Sequence, residues 1–181
     1  MILDEKTQES ARMLNELSRF LRLSFGKGTG IVTMEQELEC LNAYVKLMQD
    51  RYEGAFTYTV DVEEDTLDNQ IPKFTLQPLV ENALLHGLLH CDKKDKCIMV
   101  RSWMDENAWY IEIEDNGMGM TQEEADLILE NENNVQADNY GIYNIRGRLR
   151  IFSENRCHMR VISRPGIGTC VCIEITKRKE K

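Results

Sequence analysis

The spacing of the apolar residues changes near Gly54, and this change constrains the fold more than any other feature of the sequence. Before it, apolar side chains such as Leu14, Leu17 and Leu21 recur every three to four residues, which predicts amphipathic helices over residues 4–25 and 33–52. After it, residues 56–62 alternate between apolar and polar side chains, as a strand does. The sequence therefore predicts a helical region over residues 1–54 and a second domain over residues 55–181.

The first region has the pattern of a helical hairpin. A glycine-rich turn over residues 26–30 separates the two helices, and Thr33 with Gln36 has the form of a capping box at the start of the second. Neither helix can bury its apolar stripe alone. We therefore expect both to pack against the rest of the chain or against a partner chain.

The second region mixes strands with helices. Strands are predicted over residues 97–104, 109–114, 157–163 and 169–176, and helices over residues 75–90, from Thr121, and over 141–152. Because tight turns join consecutive strands, we expect antiparallel pairing with the helices on one face of the sheet. The predicted fold class is α+β, a two-layer sandwich preceded by a helical hairpin.

Composition excludes several classes of protein. The chain has 22 Lys and Arg against 31 Asp and Glu, a net charge of −9, which argues against nucleic-acid binding. No apolar run is long enough to cross a bilayer, and the first residues do not resemble a secretory signal, so we expect a cytoplasmic region without membrane contact. Six cysteines without a CxxC pair predict free thiols in a reducing compartment.

Three motifs fit known sites only in part. Residues 112–123 match an EF-hand calcium loop but follow a predicted strand instead of a helix. His86 and His90 have metal-ligand spacing, but Gly87 stands where a metalloprotease needs Glu. The glycines of residues 26–30 lack the spacer of a P-loop. None of the three is taken as the site.

Asp115 stands at the end of a predicted strand, two and four residues before Gly117 and Gly119. A carboxylate there can accept a hydrogen bond from an exocyclic amine, and the glycines let a flat ring approach the backbone. Acidic-Asn-Gly is also a common turn. The motif alone therefore leaves both interpretations open.

Other candidates lie on two predicted helices. Asn82 and His86 are four residues apart and share one helix face, where an amide oxygen suits Mg²⁺ and an imidazole could meet a phosphate. Gly141 begins a later helix, whose free amides favour an anion. Thr169 follows a flexible turn and adds a hydroxyl group.

The order of these motifs resembles that of the four sequence boxes of the GHKL ATPase superfamily. Their residues resemble the corresponding motifs of sensor histidine kinases of the LytS and YesM type. The matching motifs are Glu81-Asn82-Ala83 within LQPLVENA, Asp115-x-Gly117-x-Gly119, Gly141 with Asn144, and Gly166-x-Gly168-Thr169. The resemblance spans nearly the whole chain. It implies the Bergerat ATP-binding fold, with ATP and Mg²⁺ as cofactors.

The resemblance also implies a role for each matching residue. Asn82 would hold Mg²⁺ on the ATP phosphates near His86, and Glu81 would orient or deprotonate the accepting group. Asp115 would bind the adenine amino group, helped by Thr169 through water. The remaining positions would admit the adenine ring or contact the phosphates, and residues 126–139 would form a lid over them. These positions are Gly117, Gly119, Gly141, Ile142, Asn144, Arg146 and Arg148. For the arginines, a solvated helix face is an equal alternative.

The sequence departs from the family pattern twice. Asn139 stands where the family usually has Gly, and the chain contains no Pro-His-Phe phosphoacceptor motif. We therefore expect the catalytic region of a larger, membrane-anchored kinase, which would form a homodimer, phosphorylate a histidine of the parent protein and pass the phosphoryl group to a response regulator. This chain alone should bind nucleotide but should not phosphorylate itself. A non-catalytic nucleotide-gated interaction module and an ATP-hydrolysing clamp are the alternatives.

Overall fold

Helices and strands alternate along the chain in the computed structural model, which describes residues 2–25, 30–130 and 140–178. The helices are α1 (Ile2–Phe25), α2 (Met34–Arg51), α3 (Leu76–Asn82), α4 (Gln122–Glu130) and α5 (Tyr140–Phe152), with a 3-10 turn at Glu64–Thr66 and a π-helical segment at Ala83–Leu88. The strands are β1 (Ile31–Thr33), β2 (Thr57–Val62), β3 (Gln70–Pro72), β4 (Cys97–Met104), β5 (Ala108–Asp115), β6 (Cys157–Arg164) and β7 (Gly168–Thr176).

The two helices α1 and α2 form the predicted hairpin. The capping box is present, because the Gln36 backbone N–H donates to Thr33 Oγ1 at 3.2 Å and the Thr33 N–H donates to Gln36 Oε1 at 3.1 Å. The rings of Phe20 and Tyr44 meet between the helices at a centroid distance of 5.9 Å. The sequence did not predict β1 and β3, which pair with each other, because three residues are too few to show a strand period.

A five-stranded sheet in the order β2-β4-β5-β7-β6 forms one layer. The pairs β4–β5, β5–β7 and β6–β7 are antiparallel as expected, but β2 runs parallel to β4. The expectation of purely antiparallel pairing was therefore wrong at this edge. The long connection between β2 and β4 contains α3, and such a crossover permits parallel pairing.

The sheet buries one face and leaves the other open. Along β6 the buried and exposed residues alternate strictly, and Ile98, Ile111 and Ile173 on the neighbouring strands are buried with them. Helices α3, α4 and α5 pack on this buried face. This confirms the two-layer α+β sandwich. Apolar residues of α2, such as Leu41, belong to the same hydrophobic cluster.

The predicted helix over residues 75–90 changes character halfway. After Asn82 it continues as a π-helix, in which the Leu89 N–H donates to the Leu84 carbonyl five residues earlier. A π-helical segment is wider than an α-helix and is frequent near functional sites. In this molecule the π-helical segment begins directly after Asn82, the candidate Mg²⁺ ligand, and contains Gly87.

Among the described residues, every helix is too short or too polar to cross a lipid bilayer. The six cysteines, all of which lie in the described ranges, are free thiols.

Candidate functional site

Asp115 is the last residue of β5 and lies on the buried face of the sheet, where its side chain is 7% exposed. It pairs with Ile98 of β4 and Thr169 of β7. Its Oδ1 accepts the Gly117 backbone N–H at 2.7 Å. The strand register therefore carries a carboxylate to the point where the sheet ends.

Burial raises the pKa of Asp115 to about 6, although the backbone amides of Gly117 and Thr169 and the charge of Lys93 favour the ionised form. A buried carboxylate is costly when it has no strong partner. At neutral pH this group is ionised and can accept a further hydrogen bond. That is the state that recognition of an amine requires.

Glycine backbone packs directly against this carboxylate. A β-carbon added to Gly87 would lie 2.7 Å from Asp115 Oδ1, and one added to Gly117 would lie 2.3 Å from the Gly87 backbone carbonyl carbon. The Gly87 carbonyl accepts the Met118 N–H at 3.1 Å, which ties the π-helical segment to the turn after β5. Any larger residue at Gly87 or Gly117 would push these segments apart.

A second contact joins the turn after β5 to the turn between β6 and β7. Gly119 has φ +61°, and a β-carbon there would lie 2.0 Å from the Arg164 carbonyl oxygen. The Ser163 hydroxyl lies 2.8 Å from the Thr169 hydroxyl and accepts the Met120 N–H at 2.9 Å. These contacts hold Thr169 beside Asp115.

Lys93 links the same two turns, and sequence reasoning missed it. Its ammonium donates to the carbonyls of Asn116 at 2.6 Å and Ile167 at 2.9 Å. In the sequence it is one charged residue in the run 92–96, and nothing in that run distinguishes it from a solvated lysine. Its role depends on partners far away along the chain.

Asn82 and Gly141 form a second group of candidate residues. A β-carbon on Gly141 would lie 3.6 Å from Asn82 Nδ2, so the side chain of Asn82 lies beside the first turn of α5. The first amides of a helix have no partner within it and attract anions. Ile142 is buried, so only its backbone amide could take part. Asn82 can hold a hard cation next to such an anion.

Glu81 and His86 face different surroundings. Glu81 is half-buried, and its charge helps burial to raise the pKa of Tyr44 on α2. It therefore lies toward the helical hairpin. His86 is exposed in the π-helical segment.

The side chains of α5 fit the phosphate-binding expectation less well. Arg146 donates to the Leu129 carbonyl, and Arg148 donates to the carbonyls of Lys73 at 2.5 Å and Phe74 at 3.1 Å. Asn144 is exposed. The structure thus brings Asp115, Thr169 and the glycines together and places Asn82 beside Gly141, but it engages both arginines with backbone carbonyls.

The expected lid over residues 126–139 lies partly outside the described residues, and Asn139 is one of those outside. Helix α4, whose end is the described part of this stretch, begins with a capping box: the Thr121 N–H donates to Glu124 Oε2 at 2.9 Å, and the Glu124 N–H donates to Thr121 Oγ1 at 3.3 Å.

Comparison with known protein families gives two matches. Residues 68–179 match the family of histidine kinase-, DNA gyrase B-, and HSP90-like ATPases, and residues 1–56 match the family described as histidine kinase.

Three curated relatives align along nearly the whole chain. They are the putative uncharacterized protein YwpD of Bacillus subtilis (28% identical over 93% of this chain), the sensor protein kinase HptS of Staphylococcus aureus (25% over 90%) and the sensor histidine kinase YesM of B. subtilis (29% over 96%). The chain spans 59%, 31% and 29% of their respective lengths.

Solved structures with the same fold include the histidine kinase domain of the Erythrobacter litoralis EL346 blue-light activated kinase and the mycobacterial sensor histidine kinase MprB. The first has a TM-score of 0.53 over 96% of this chain and 82% of that one, and the second 0.54 over 83% and 98%, each at 18% identity.

Proposed function

The chain belongs to the family of histidine kinase-, DNA gyrase B-, and HSP90-like ATPases, and from this premise we propose that it is the ATP-binding catalytic region of a two-component sensor histidine kinase. The parent protein would transfer the γ-phosphoryl group of ATP to one of its own histidines, from which an aspartate of a response regulator takes it. The similarity to sensor kinases along nearly the whole chain supports this proposal.

The observation that carries the proposal is the buried, ionisable carboxylate of Asp115 with glycine backbone packed against it. An ionised carboxylate accepts a hydrogen bond from the 6-amino group of adenine, and glycine backbone beside it can approach a flat ring closely. The Thr169 hydroxyl, which lies at the start of the neighbouring strand, would bind the base through water.

The phosphates would lie toward Asn82 and the first turn of α5. The adjacency of Asn82 and Gly141 supports this placement, since it brings an amide side chain, whose oxygen can bind a cation, beside the N-terminal amides of a helix. Asn82 fits Mg²⁺, which prefers oxygen ligands and would neutralise phosphate charge when bound. The amides of Gly141 and Ile142 would contact the phosphate oxygens.

In the proposed transfer, an imidazole nitrogen of the acceptor histidine forms a bond to the γ-phosphorus, and the bond from that phosphorus to the bridging oxygen of ADP breaks. The attacking nitrogen is the unprotonated one, and the proton on the other ring nitrogen passes to Glu81, whose position toward α2 suits a base that serves an acceptor presented by helices. The protein otherwise positions groups and neutralises charge.

Residues 1–54 would be the distal part of the helical region that dimerises the parent and carries its acceptor. The exposed apolar residues Leu14, Leu17, Leu21 and Phe25 on α1 support this assignment, because such a stripe needs a partner. We propose that the parent is membrane-anchored and presents this region, as a homodimer, to the cytoplasm.

A titration of the purified chain with Mg·ATP tests the site. Asp115→Asn should weaken binding at least tenfold, whereas Glu114→Gln, a neighbouring change on the open face, should leave affinity unchanged. Equal affinities for the wild-type chain and Asp115→Asn would contradict the site.

The transfer step needs a second assay. A fragment of the parent that carries the acceptor histidine, mixed with this chain and labelled ATP, should gain acid-labile phosphate, and Glu81→Gln should slow that gain without loss of ATP binding. ATP binding without any transfer would instead identify a nucleotide-gated interaction module, and steady ATP hydrolysis without transfer would identify a clamp ATPase.

A further inference from the structure

The open face of the sheet carries two cysteines on one strand. Val171 and Ile173 of β7 are buried, so Cys170 and Cys172 between and beside them point to the face opposite the helices. Both thiols are partly exposed. Free cysteines are usually among the most buried residues, and this pair has no place in the core.

A carboxylate faces the two thiols from the neighbouring strand. Glu112 pairs with Cys172 in the register of β5 and β7. The Cys172 thiol donates to Glu112 Oε1 at 3.4 Å, and the sulfurs of Cys170 and Cys172 are 3.5 Å apart. In the described part of the chain, one potential ligand atom from each of the three residues lies within 4.8 Å of the other two.

These distances match a tetrahedral zinc site. Two sulfurs bound to one zinc ion at about 2.3 Å are about 3.8 Å apart, and a bound sulfur and carboxylate oxygen are about 3.5 Å apart. A disulfide between the two cysteines is disfavoured, since side chains two residues apart on a regular strand project in parallel about 6.5 Å from each other, whereas the two β-carbons of a disulfide lie about 3.5–4.5 Å apart.

The second carboxylate oxygen is already held in place. Arg101 lies 3.3 Å from Glu112 Oε2 and 2.6 Å from Glu114 Oε2, so it forms an ion pair with both carboxylates, and Glu112 Oε1 is the oxygen turned to the thiols. Metal-ligating carboxylates are characteristically held by such an outer partner. Arg160 of the neighbouring strand β6 stands opposite Cys172 in the strand register and adds a further positive charge near the thiols.

We propose that Glu112, Cys170 and Cys172 form a binding site for one zinc ion, with water as the fourth ligand on the solvent side. Two thiolates and one carboxylate are a ligand set that zinc accepts, and the open face leaves the fourth position free. Binding releases the two thiol protons to solvent, and no electrons are transferred. The site is separate from the ATP site, because it lies on the opposite face of the sheet.

The test is a competition titration of the reduced chain with Zn²⁺ against a colorimetric chelator, without nucleotide, so the result does not depend on the proposed kinase function. One Zn²⁺ should bind per chain. The Co²⁺ form should show the near-ultraviolet charge-transfer band of two thiolate ligands.

Three variants decide the ligand set. The double variant Cys170→Ser/Cys172→Ser should lose the cobalt band and tight zinc binding, and Glu112→Gln should weaken zinc binding on the order of tenfold or more. Cys97→Ser, which removes another partly buried thiol from β4, should bind like the wild type. Wild-type affinity in the double variant, or loss of binding in Cys97→Ser, would overturn the proposal. If the double variant does not fold, Glu112→Gln decides, and an unchanged affinity with an unchanged cobalt spectrum overturns it.

Discussion

Gly87 lies so close to Asp115 that a β-carbon on the glycine would be 2.7 Å from the carboxylate oxygen Oδ1. The π-helical segment and the end of β5 can make this contact only while position 87 has no side chain. Gly87→Ala should therefore displace Asp115 and lower the affinity for Mg·ATP at least tenfold, measured by calorimetric titration.

Gly147→Ala is the matched control for this change. Gly147 lies inside α5, and a β-carbon there meets nothing within 4 Å. Alanine favours helix over glycine by about 1 kcal/mol, so this variant should be more stable and bind ATP normally. Normal binding by Gly87→Ala would mean that the close approach to Asp115 does not shape the site.

Residues that act through local pattern could be predicted from the sequence, and those that act through distant partners could not. The alternation of β5 ends at Asp115, and the glycines follow within four residues, so the sequence shows this group directly. Lys93 bonds carbonyls 23 and 74 residues away, and nothing near it in the chain indicates those partners. The parallel pairing of β2 was missed for the same reason, since register between distant strands leaves no local signal.

The pKa of Asp115 predicts a stability effect opposite in sign to the binding effect. The folded pKa is raised from 3.8 to about 6, so the group contributes its full stability below about pH 4 and loses it as the pH rises through 6. Asp115→Asn removes the cost of burying an ionised carboxylate at high pH. At pH 8 the free energy of unfolding of the variant, measured in urea, should be about 1–3 kcal/mol higher than that of the wild type. The variant should nevertheless bind ATP poorly.

The same comparison at pH 4 is the control, because the wild-type carboxyl is then largely protonated in the folded chain and the two proteins should differ little. An Asp115→Asn variant that is less stable than the wild type at pH 8 would show that the carboxylate is a structural requirement of the fold.

Lys93 should support the site through its ammonium group alone. Lys93→Met keeps the aliphatic stem but removes the donor to the Asn116 and Ile167 carbonyls, and it also removes a positive charge that lowers the pKa of Asp115. We expect ATP affinity to fall about tenfold, which corresponds to about 1.4 kcal/mol. Lys94 is the exposed neighbour, and Lys94→Met should bind ATP as tightly as the wild type. If the two variants bind ATP with equal affinity, Lys93 does not contribute to the site.

Glu37 joins the helical hairpin to the start of α3, the helix that ends at Asn82. Its side chain is 2% exposed, and its two oxygens accept the backbone N–H groups of Phe74 at 3.0 Å and Leu76 at 2.9 Å. Burial raises its pKa despite these bonds and the nearby charge of Arg148. Glu37→Gln must turn an NH₂ group toward one of the two donors, so we expect it to destabilise the fold by about 1–3 kcal/mol.

Glu39→Gln is the matched change on the same helix, because Glu39 is half-exposed and its ion pair with Arg19 spans 3.6 Å at the surface. Such pairs contribute little, so this variant should stay within about 0.5 kcal/mol of the wild type in urea unfolding. If Glu37→Gln unfolds at the same urea concentration as Glu39→Gln, the buried carboxylate does not hold α3 to the hairpin. A loss confined to Glu37→Gln would mean that the helix carrying Asn82 depends for its stability on one buried residue of α2.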